Sequence, residues 1–280
     1  MPVKFDTLFE KPKPLIAMIH TGPCPGVPGF LCMESAVERA AAEAEVYVRA
    51  GVDGILIENM HDFPCVHERE MGPEIAAYLT RVAYAVKRRA RYTPVGLHVL
   101  FQANKTALAV AQAAGCDFVR AEGWTHAHVA DKGLAKASAG EVIRYRNQIG
   151  ANGLPIFVDV KKKHAAHALT ADLTIGEMAE GMAMHQADAV VVSGRHTGIA
   201  PALDDLKAVA DASDLPLLVG SGTTPDNVRT LYSHVDGFIV GSALKENGVW
   251  DAPVCSTRVE RLVTALEQAR AVDSAQLMKN

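Results

Sequence analysis

Acids, lysines and histidines stand at the ends of several short apolar runs of the sequence. Glu58, Glu122 and Asp159 each lie at such an end, and Lys161 and His164 follow Asp159 closely. Carboxylates and imidazoles can exchange protons with a substrate, while a lysine amine can bind an oxygen or attack a carbonyl. We therefore predict that these five residues are catalytic. The acids would serve as general acid or base, and Lys161 would bind or activate an oxygen or carbonyl function.

The apolar runs alternate with alanine-rich stretches of helical period along the whole chain of 280 residues. Most runs are rich in β-branched residues and bounded by Gly, Pro or Asp, which is typical of strands. The predicted strands cover residues 14–20, 54–59, 94–100, 117–122, 155–161, 189–194, 216–222 and 237–242. An open doubly wound sheet also alternates in this way but usually has fewer strands. The pattern therefore predicts one α/β domain over residues 1–280, a single (β/α)8 TIM barrel with its core at about 14–270.

In such a barrel, the active site lies at the carboxyl ends of the strands. Polar residues collect at these ends of the predicted strands, as that rule requires. Arg120, for example, stands two residues before Glu122 and shares its face of the fourth strand. We predict that further residues at the strand ends bind the substrate: His20, Asn59, His98, Ser193 and Gly194.

The stretch IFVDVKKKH, which spans the end of the fifth predicted strand, carries three successive lysines. Since residues two apart in a strand face the same way, alternation directs Asp159, Lys161 and Lys163 into the barrel mouth. The same rule leaves Lys162 to the solvent. His164 falls just past the strand, where a loop could bring it to the mouth.

Glycine-containing loops follow the predicted seventh and eighth strands. LVGSGTTPDNV contains Gly220, Ser221 and Gly222, and FIVGSALKENG contains Gly241 and Ser242. Exposed backbone N–H groups in these two positions form the usual phosphate site of barrel enzymes. We therefore predict that these five residues bind the phosphate group of a small phosphorylated metabolite.

A divalent metal is a further possibility, and the sequence predicts no other cofactor. Nitrogen and oxygen ligands suitable for zinc or a harder ion are available at the strand ends. The candidates are His20, Glu58, His98, Glu122 and Asp159. None of them shows a specific ligand spacing, so the metal ligands stay unassigned.

Composition argues against several classes of partner. The formal net charge is -4, and no basic patch stands out, which argues against nucleic acid. The sequence has no run of 18 uncharged apolar residues and no apolar leader, so we predict neither membrane insertion nor a secretory signal. Five scattered cysteines fit a reduced, cytoplasmic setting. Barrels of this size often pair, so we expect a homo-oligomer.

The motifs GILIENMHDFP, VDVKKKHAAHAL, SGRHTG and LVGSGTTPDNV resemble the BtpA family, in the same order and from about Leu15 to Val254. The resemblance implies a TIM barrel of the ribulose-phosphate-binding type. Many relatives read VLRND after the third strand, whereas this chain reads VLFQAN and so lacks their arginine there. The resemblance also implies positions shared with the family: Glu58, Asn59, Asp62, Phe63, Pro64, Thr125, His126, Asp131, Asp159, Lys161, His164, Gly220, Ser221 and Gly222.

Three functions follow from these observations. The first is an enzyme acting on a phosphorylated sugar or a nucleoside- or nucleotide-derived metabolite. It would work as a lyase or isomerase, with a Schiff base on a mouth lysine, or as a nucleosidase-like hydrolase using paired carboxylates. The second, implied by the family name, is a non-catalytic factor in photosystem I biogenesis. The third is a metabolite sensor that keeps the anion loops and does not need the acids.

Overall fold

The computed structural model describes residues 3–277, with side chains as far as residue 275. Eight parallel strands form a closed barrel in which each strand pairs with its neighbours in sequence, and the eighth pairs with the first. The predicted fold is confirmed. The strands are β1 Leu15–His20, β2 Gly54–Glu58, β3 Val95–His98, β4 Phe118–Ala121, β5 Ile156–Asp159, β6 Ala189–Val192, β7 Leu217–Val219 and β8 Gly237–Val240.

A helix follows each strand and covers the outside of the barrel. The helices are α1 Met33–Ala50, α2 Pro73–Arg89, α3 Asn104–Ala114, α4 Ala139–Gln148, α5 Ile175–Met184, α6 Leu203–Ala212, α7 Val228–Tyr232 and α8 Ser256–Leu277. Local sequence sets several of their ends. Gly51 stops α1 in a left-handed conformation, and Thr174 with Glu177 forms a capping box at the start of α5. Of the helices between residues 3 and 277, none combines the length and apolar composition needed to cross a bilayer.

Aromatic rings fill the interior of the barrel below the mouth. Phe118 and Phe157 stack with their ring centroids 4.8 Å apart. A short helix, Phe5–Leu8, precedes β1 and closes the base of the barrel. There the ring centroid of Phe5 lies 5.6 Å from that of Phe157, and the ring centroid of Phe9 lies 5.9 Å from that of Phe118. This apolar floor leaves the carboxyl ends of the strands as the place where polar side chains can meet.

Two loops at the mouth carry a small antiparallel sheet that the sequence patterns did not predict. Its strands are His128–Ala130, Gly133–Ala135 and Ala165–Ala166. The first two belong to the loop after β4 and the third to the loop after β5. Because the sheet ties these loops together, it holds Asp131 and Lys132 at the edge of the mouth.

Candidate active site

The carboxyl ends of the strands enclose a chamber of about 600 Å³. Its charged wall contains Glu58 from β2, His98 from β3 and Asp159 from β5, with Arg120 and Glu122 at the end of β4. The facing wall is largely apolar and is formed by Met60, Phe63, Leu100, Phe101 and Trp250. Three of the predicted catalytic residues, Glu58, Glu122 and Asp159, therefore meet in one space, although they are far apart in sequence.

A buried ion pair occupies the centre of the charged wall. Arg120, which is 3% exposed, donates from Nη2 to Asp159 Oδ1 at 2.7 Å and from Nε to Oδ2 at 3.2 Å. Burial alone would lower the pKa of Arg120, but Asp159 and Glu58 outweigh this effect and raise it. A two-pronged contact of this kind fixes the orientation of both groups. Arg120 is thus a permanent cation in the chamber, a role that the sequence did not assign to it.

The second ion pair corrects the prediction for the lysines. Lys162 contacts Glu122 Oε2 inside the chamber, and the N–H of Gln102 donates to Glu122 Oε1 at 2.6 Å. Lys161 instead lines a groove between the loops after β5 and β6, which borders the chamber at Lys162 and His164 but takes Lys161 out of the chamber lining. The predicted directions of Lys161 and Lys162 were therefore wrong. The reason is that β5 ends at Asp159, two residues earlier than predicted, and the bend that follows breaks the alternation.

Lys163 does lie at the mouth, although the strand alternation used to predict this ends at Asp159. It lines both the chamber and the neighbouring cleft described below. Among the described side chains, the mouth carboxylates pair with Arg120 and Lys162, not with Lys163. Burial lowers the pKa of Lys163, and the Arg120 charge lowers it further. Its amine is therefore the one most easily deprotonated at this site.

Glu58 and His98 form a third contact in the chamber. His98 Nδ1 lies 3.4 Å from Glu58 Oε1, and both residues are buried. Burial alone would raise the pKa of Glu58, but His98, His20 and Arg120 lower it well below its ordinary value. Neither ring nitrogen of His98 makes a hydrogen bond to the described residues. Glu58 is accordingly a stable carboxylate, and His98 has hydrogen-bonding capacity left for a ligand.

Three of the five candidate metal ligands lie close together. His98, Glu122 and Asp159 offer ligand atoms within 4.8 Å of one another. His20 and Glu58 do not belong to this group. Lys162 and Arg120 already neutralise its two carboxylates, so a metal ion would have to compete with both. The distances fit a divalent ion, but the surrounding charge is better suited to a ligand that is not a cation.

A smaller cleft of about 160 Å³ opens from the chamber between the loops after β6, β7 and β8. Glu58, Arg120 and Lys163 line both spaces, which makes them continuous. Four of the residues predicted to bind phosphate line the cleft: Ser221, Gly222, Gly241 and Ser242. The sequence did not single out its other loop residues, which include Thr197, Gly198, Thr223, Thr224, Ala243 and Gly248.

The cleft presents several groups that suit an anion. Thr223 is fully buried, and its hydroxyl has no hydrogen-bond partner among the described residues. Gly222 has φ 74°, and a Cβ there would lie 2.0 Å from the backbone nitrogen of Ala200, so only glycine fits. Arg258, at the start of α8, donates from Nε to the carbonyl of Ala243 at 2.9 Å and brings a positive charge to the cleft.

Other residues predicted to bind the substrate hold loops together instead. Gly194 donates its N–H to Ser221 Oγ at 3.1 Å, and that hydroxyl donates to the carbonyl of Ile199 at 2.7 Å. Ser193 lines the same groove as Lys161, and a Cβ on Gly220 would lie 2.4 Å from its Oγ. Ser193, Gly194 and Gly220 thus lie outside the lining of the chamber and the cleft, contrary to the prediction.

Asn59 is also used internally. Its Oδ1 accepts a hydrogen bond from the N–H of Leu100 at 2.7 Å, and its Nδ2 donates to Asp62 at 2.8 Å. Asp62 in turn accepts the N–H of Cys24 at 2.8 Å. Asn59, which was predicted to bind the substrate, thus lies outside the lining of the chamber and the cleft, and its amide joins the loops after β1, β2 and β3.

Two histidines lie at opposite sides of the mouth. His20 lines the cleft and donates from Nδ1 to the carbonyl of Trp250 at 3.0 Å. Burial lowers its pKa to about 4, so the ring is neutral near pH 7 with Nε2 as an acceptor. His164 lies on the exposed rim of the chamber, with Nε2 3.1 Å from Thr197 Oγ1. His20 is the better placed of the two to contact a ligand inside the cleft.

Comparison with known proteins extends over almost the whole chain. The model of the BtpA family matches residues 11–268. An uncharacterized mitochondrial protein of Caenorhabditis elegans is 39% identical over 267 residues, covering 93% of this chain and 96% of that protein. The photosystem I biogenesis protein BtpA of Synechocystis sp. is 31% identical, with 93% of this chain and 90% of that protein covered. An uncharacterized protein of Pyrococcus furiosus is 36% identical, with coverages of 92% and 96%.

Solved structures resemble the fold at low sequence identity. A thiamine phosphate pyrophosphorylase from Pyrococcus furiosus has a TM-score of 0.56 at 14% identity, covering 92% of this chain and 96% of that one. A tryptophan synthase of Mycobacterium tuberculosis has a TM-score of 0.56 at 15% identity, with coverages of 91% and 92%. A native KDPGal structure has a TM-score of 0.58 at 15% identity, with coverages of 97% and 100%. At these identities the likeness concerns the fold alone.

We predict that Arg120→Met lowers the free energy of unfolding by ~3–5 kcal/mol, because it leaves Asp159 buried without its cation. Adding Asp159→Leu should recover part of this loss, since the uncompensated charge is then removed. Urea unfolding of the single and double variants measures both effects. The exposed pair of Arg81 and Glu34 is the control, and Arg81→Met should change little. Equal losses for Arg120→Met and Arg81→Met would contradict the central role of the buried pair.

A second prediction concerns pH. The pKa of His20 is lowered to about 4, so unfolding at acid pH releases a ring that takes up a proton more readily. The contribution of His20 is present above the ordinary pKa of ~6.5 and is lost as pH falls toward 4, a change of about 3 kcal/mol. The free energy of unfolding of His20→Gln should therefore fall less steeply over this window. Exposed His234→Gln, the control, should keep the wild-type slope.

Proposed function

The chain belongs to the BtpA family, as its motifs predicted, and we propose that it is an enzyme acting on a phosphorylated sugar or a nucleoside-derived phosphate. The observation that carries this proposal is the continuity of two spaces. Glu58, Arg120 and Lys163 line both the cleft and the charged chamber. A phosphate held in the cleft would therefore direct the rest of the substrate onto acids, a guanidinium and an amine.

The chemical groups that line the cleft support phosphate as the group by which the substrate is held. The loops around it supply glycine backbone, hydroxyls and the guanidinium of Arg258. The Thr223 hydroxyl is buried without a partner among the described residues, which is costly unless a ligand completes its hydrogen bonds. Phosphate oxygens accept hydrogen bonds from both N–H and O–H donors, so they match this set.

The chamber supports lyase or isomerase chemistry through a lysine. A neutral amine attacks a substrate carbonyl, and loss of water from the resulting carbinolamine gives an imine that withdraws electrons from the neighbouring bond. Lys163, with its lowered pKa and without an acid paired to it, is the amine best suited to this step. Glu58 is ionised and next to His98, and its lowered pKa suits it to stabilise a developing positive charge better than to accept a proton.

A second reaction, hydrolysis of a glycosidic bond, draws support from the closeness of two carboxylates. Glu122 and Asp159 offer oxygens within 4.8 Å of each other. Paired carboxylates at short separation can stabilise and trap an oxocarbenium-like centre. Each of the two is already in an ion pair, Glu122 with Lys162 and Asp159 with Arg120, which suits a charge-stabilising role better than that of an acid.

A non-catalytic role is the alternative. The relative from Synechocystis sp. is named for photosystem I biogenesis, and an assembly factor would act through its outer surface. Such a protein has no need to desolvate three carboxylates with their cations in one chamber, an arrangement that costs stability unless it is used. We therefore rank the enzyme first.

Ribose 5-phosphate is a suitable first probe, because it carries both a phosphate and an aldehyde. We predict that it raises the melting temperature, since a ligand that binds only the folded state stabilises it. Thr223→Val should weaken binding by about fivefold or more, through loss of one hydrogen bond to phosphate. The same variant should keep the free energy of unfolding, because it removes a buried hydroxyl without a partner in the described chain. Isothermal titration and urea unfolding measure the two effects.

Exposed Thr230→Val provides the matched control and should leave both quantities unchanged. A panel of phosphorylated sugars and nucleotides extends the test beyond ribose 5-phosphate. If no member of the panel shifts the melting temperature, the proposed enzyme function loses its main support, and the role as an assembly factor becomes the better supported of the two.

Reduction with borohydride tests the lysine. We predict that borohydride in the presence of a ligand with a free carbonyl leaves a stable secondary amine on Lys163, which peptide mass spectrometry can locate. Lys163→Met should abolish the adduct, whereas Lys161→Met should keep it, because Lys161 lines a different groove. An adduct on Lys161, or none with any bound carbonyl ligand, would exclude the Schiff-base route through Lys163.

A further inference from the structure

A further cavity of about 270 Å³, lined by apolar and charged side chains, lies outside the mouth, between α1 and the segment that follows β8. Helix α1 contributes Arg39 and Glu43, and the segment after β8 contributes Lys245 and residues 251–254. His61 completes the wall on the side of the loop after β2. This cavity takes no part in the reaction proposed above.

Lys245 is the unusual residue of this cavity. It is only 2% exposed, yet it lines the cavity, and its acidic neighbours are Glu43 and Asp251. The ion pairs found among the described side chains do not include Lys245. Its backbone is held firmly, because Lys245 forms an antiparallel bridge with Val254 and the N–H of Glu246 donates to Pro253. Burial lowers the pKa of Lys245, and an anion bound in the cavity would oppose this effect by stabilising the ammonium form.

Arg39 adds a second cation to the same wall. Its Nη2 lies 2.7 Å from the position that a Cβ on Gly22 would take, so the guanidinium rests over this glycine. The ion pairs of α1 among the described residues are made by Glu34, Glu45 and Arg49, and not by Arg39. Both cations that face the cavity are therefore available to a ligand.

Two acids, Glu43 and Asp251, also line the cavity, and neither appears in the ion pairs among the described side chains. Glu43 has a buried Oε2 without a hydrogen-bond partner in the described chain, and burial raises its pKa. Asp251 is exposed at the edge. His61 donates from Nδ1 to the carbonyl of Thr21 at 2.5 Å, which leaves Nε2 as an acceptor for a protonated oxygen. The cavity therefore suits an oxyanion that carries a proton. It offers such a ligand two cations, a carboxyl group with raised pKa and a neutral imidazole.

We propose that this cavity is a second ligand site, in which Lys245 and Arg39 bind a small oxyanion, either a carboxylate or a phosphate. The volume of about 270 Å³ limits the ligand to a small metabolite. His20 lines both this cavity and the cleft of the mouth, so a single ring separates the two sites. The site does not depend on the proposed enzyme function, because none of its cations belongs to the chamber.

The test must separate this site from the cleft. Ser242→Glu places a carboxylate in the cleft and should block anions there, since Ser242 lines it. Isothermal titration of the full chain carrying Ser242→Glu, with inorganic phosphate and separately with malonate, then measures the remaining site. We expect one oxyanion to bind per chain. Adding Lys245→Met should weaken it by about tenfold or more, through loss of a charged hydrogen bond.

Arg39→Gln gives a second variant, because Arg39 is exposed and its replacement should not disturb folding even if Lys245→Met does. Like Lys245→Met, it should weaken binding of the oxyanion, while Arg49→Gln on the same helix should have no effect. Binding of phosphate alone assigns a phosphoryl ligand, and binding of malonate alone assigns a carboxylate.

Two results would overturn the proposal. One is the absence of any oxyanion binding to Ser242→Glu, and the other is residual binding that neither Lys245→Met nor Arg39→Gln weakens. Neither result bears on the enzyme function, which is tested by ribose 5-phosphate binding in the wild-type chain.

Discussion

The buried ion pair between Arg120 and Asp159 is the interaction on which the barrel mouth depends. Parallel strands that end at one rim bring Glu58, Glu122 and Asp159 into the same desolvated space. Three carboxylates there would repel one another and take up protons if no cations accompanied them. Arg120 at the centre supplies a buried cation, so that strand ends carrying acids can lie side by side in one site.

The rest of the barrel confines these charged side chains to a single layer at the mouth. Stacked rings of Phe118 and Phe157 fill the space below, and the short helix Phe5–Leu8 closes the base. Above, Ser221 and Asn59 use their hydrogen bonds to join neighbouring loops. Electrostatic interactions among the charged side chains of the mouth are stronger than in bulk water, because these side chains are buried. The aromatic core below and the hydrogen-bonded loops above thus hold together the charged side chains of the mouth, which water would otherwise solvate separately.

The two proposed anion sites are built differently. The cleft of the mouth relies on loop glycines, hydroxyls and Arg258, a construction suited to the several oxygens of a phosphate. The cavity beside α1 relies on the side chains of Lys245 and Arg39. His20, neutral because burial lowers its pKa, stands between them. A ligand in either site therefore borders on the same ring.

The sequence by itself determined the barrel, because eight apolar runs with intervening helical stretches allow few other folds. It also determined which strand ends carry the acids and which loops carry the glycines. It also contained a signal for Arg120, which shares a strand face with Glu122. Only the tertiary structure decided which lysine enters the chamber, since the bend after Asp159 ends the alternation on which the prediction for Lys161 rested. Likewise, Asn59 and Gly194 were assigned to the substrate because sequence patterns carry no record of hydrogen bonds between loops. Arg258 and Lys245 gave no local signal at all, because their partners lie on other parts of the chain and meet them only when the barrel closes.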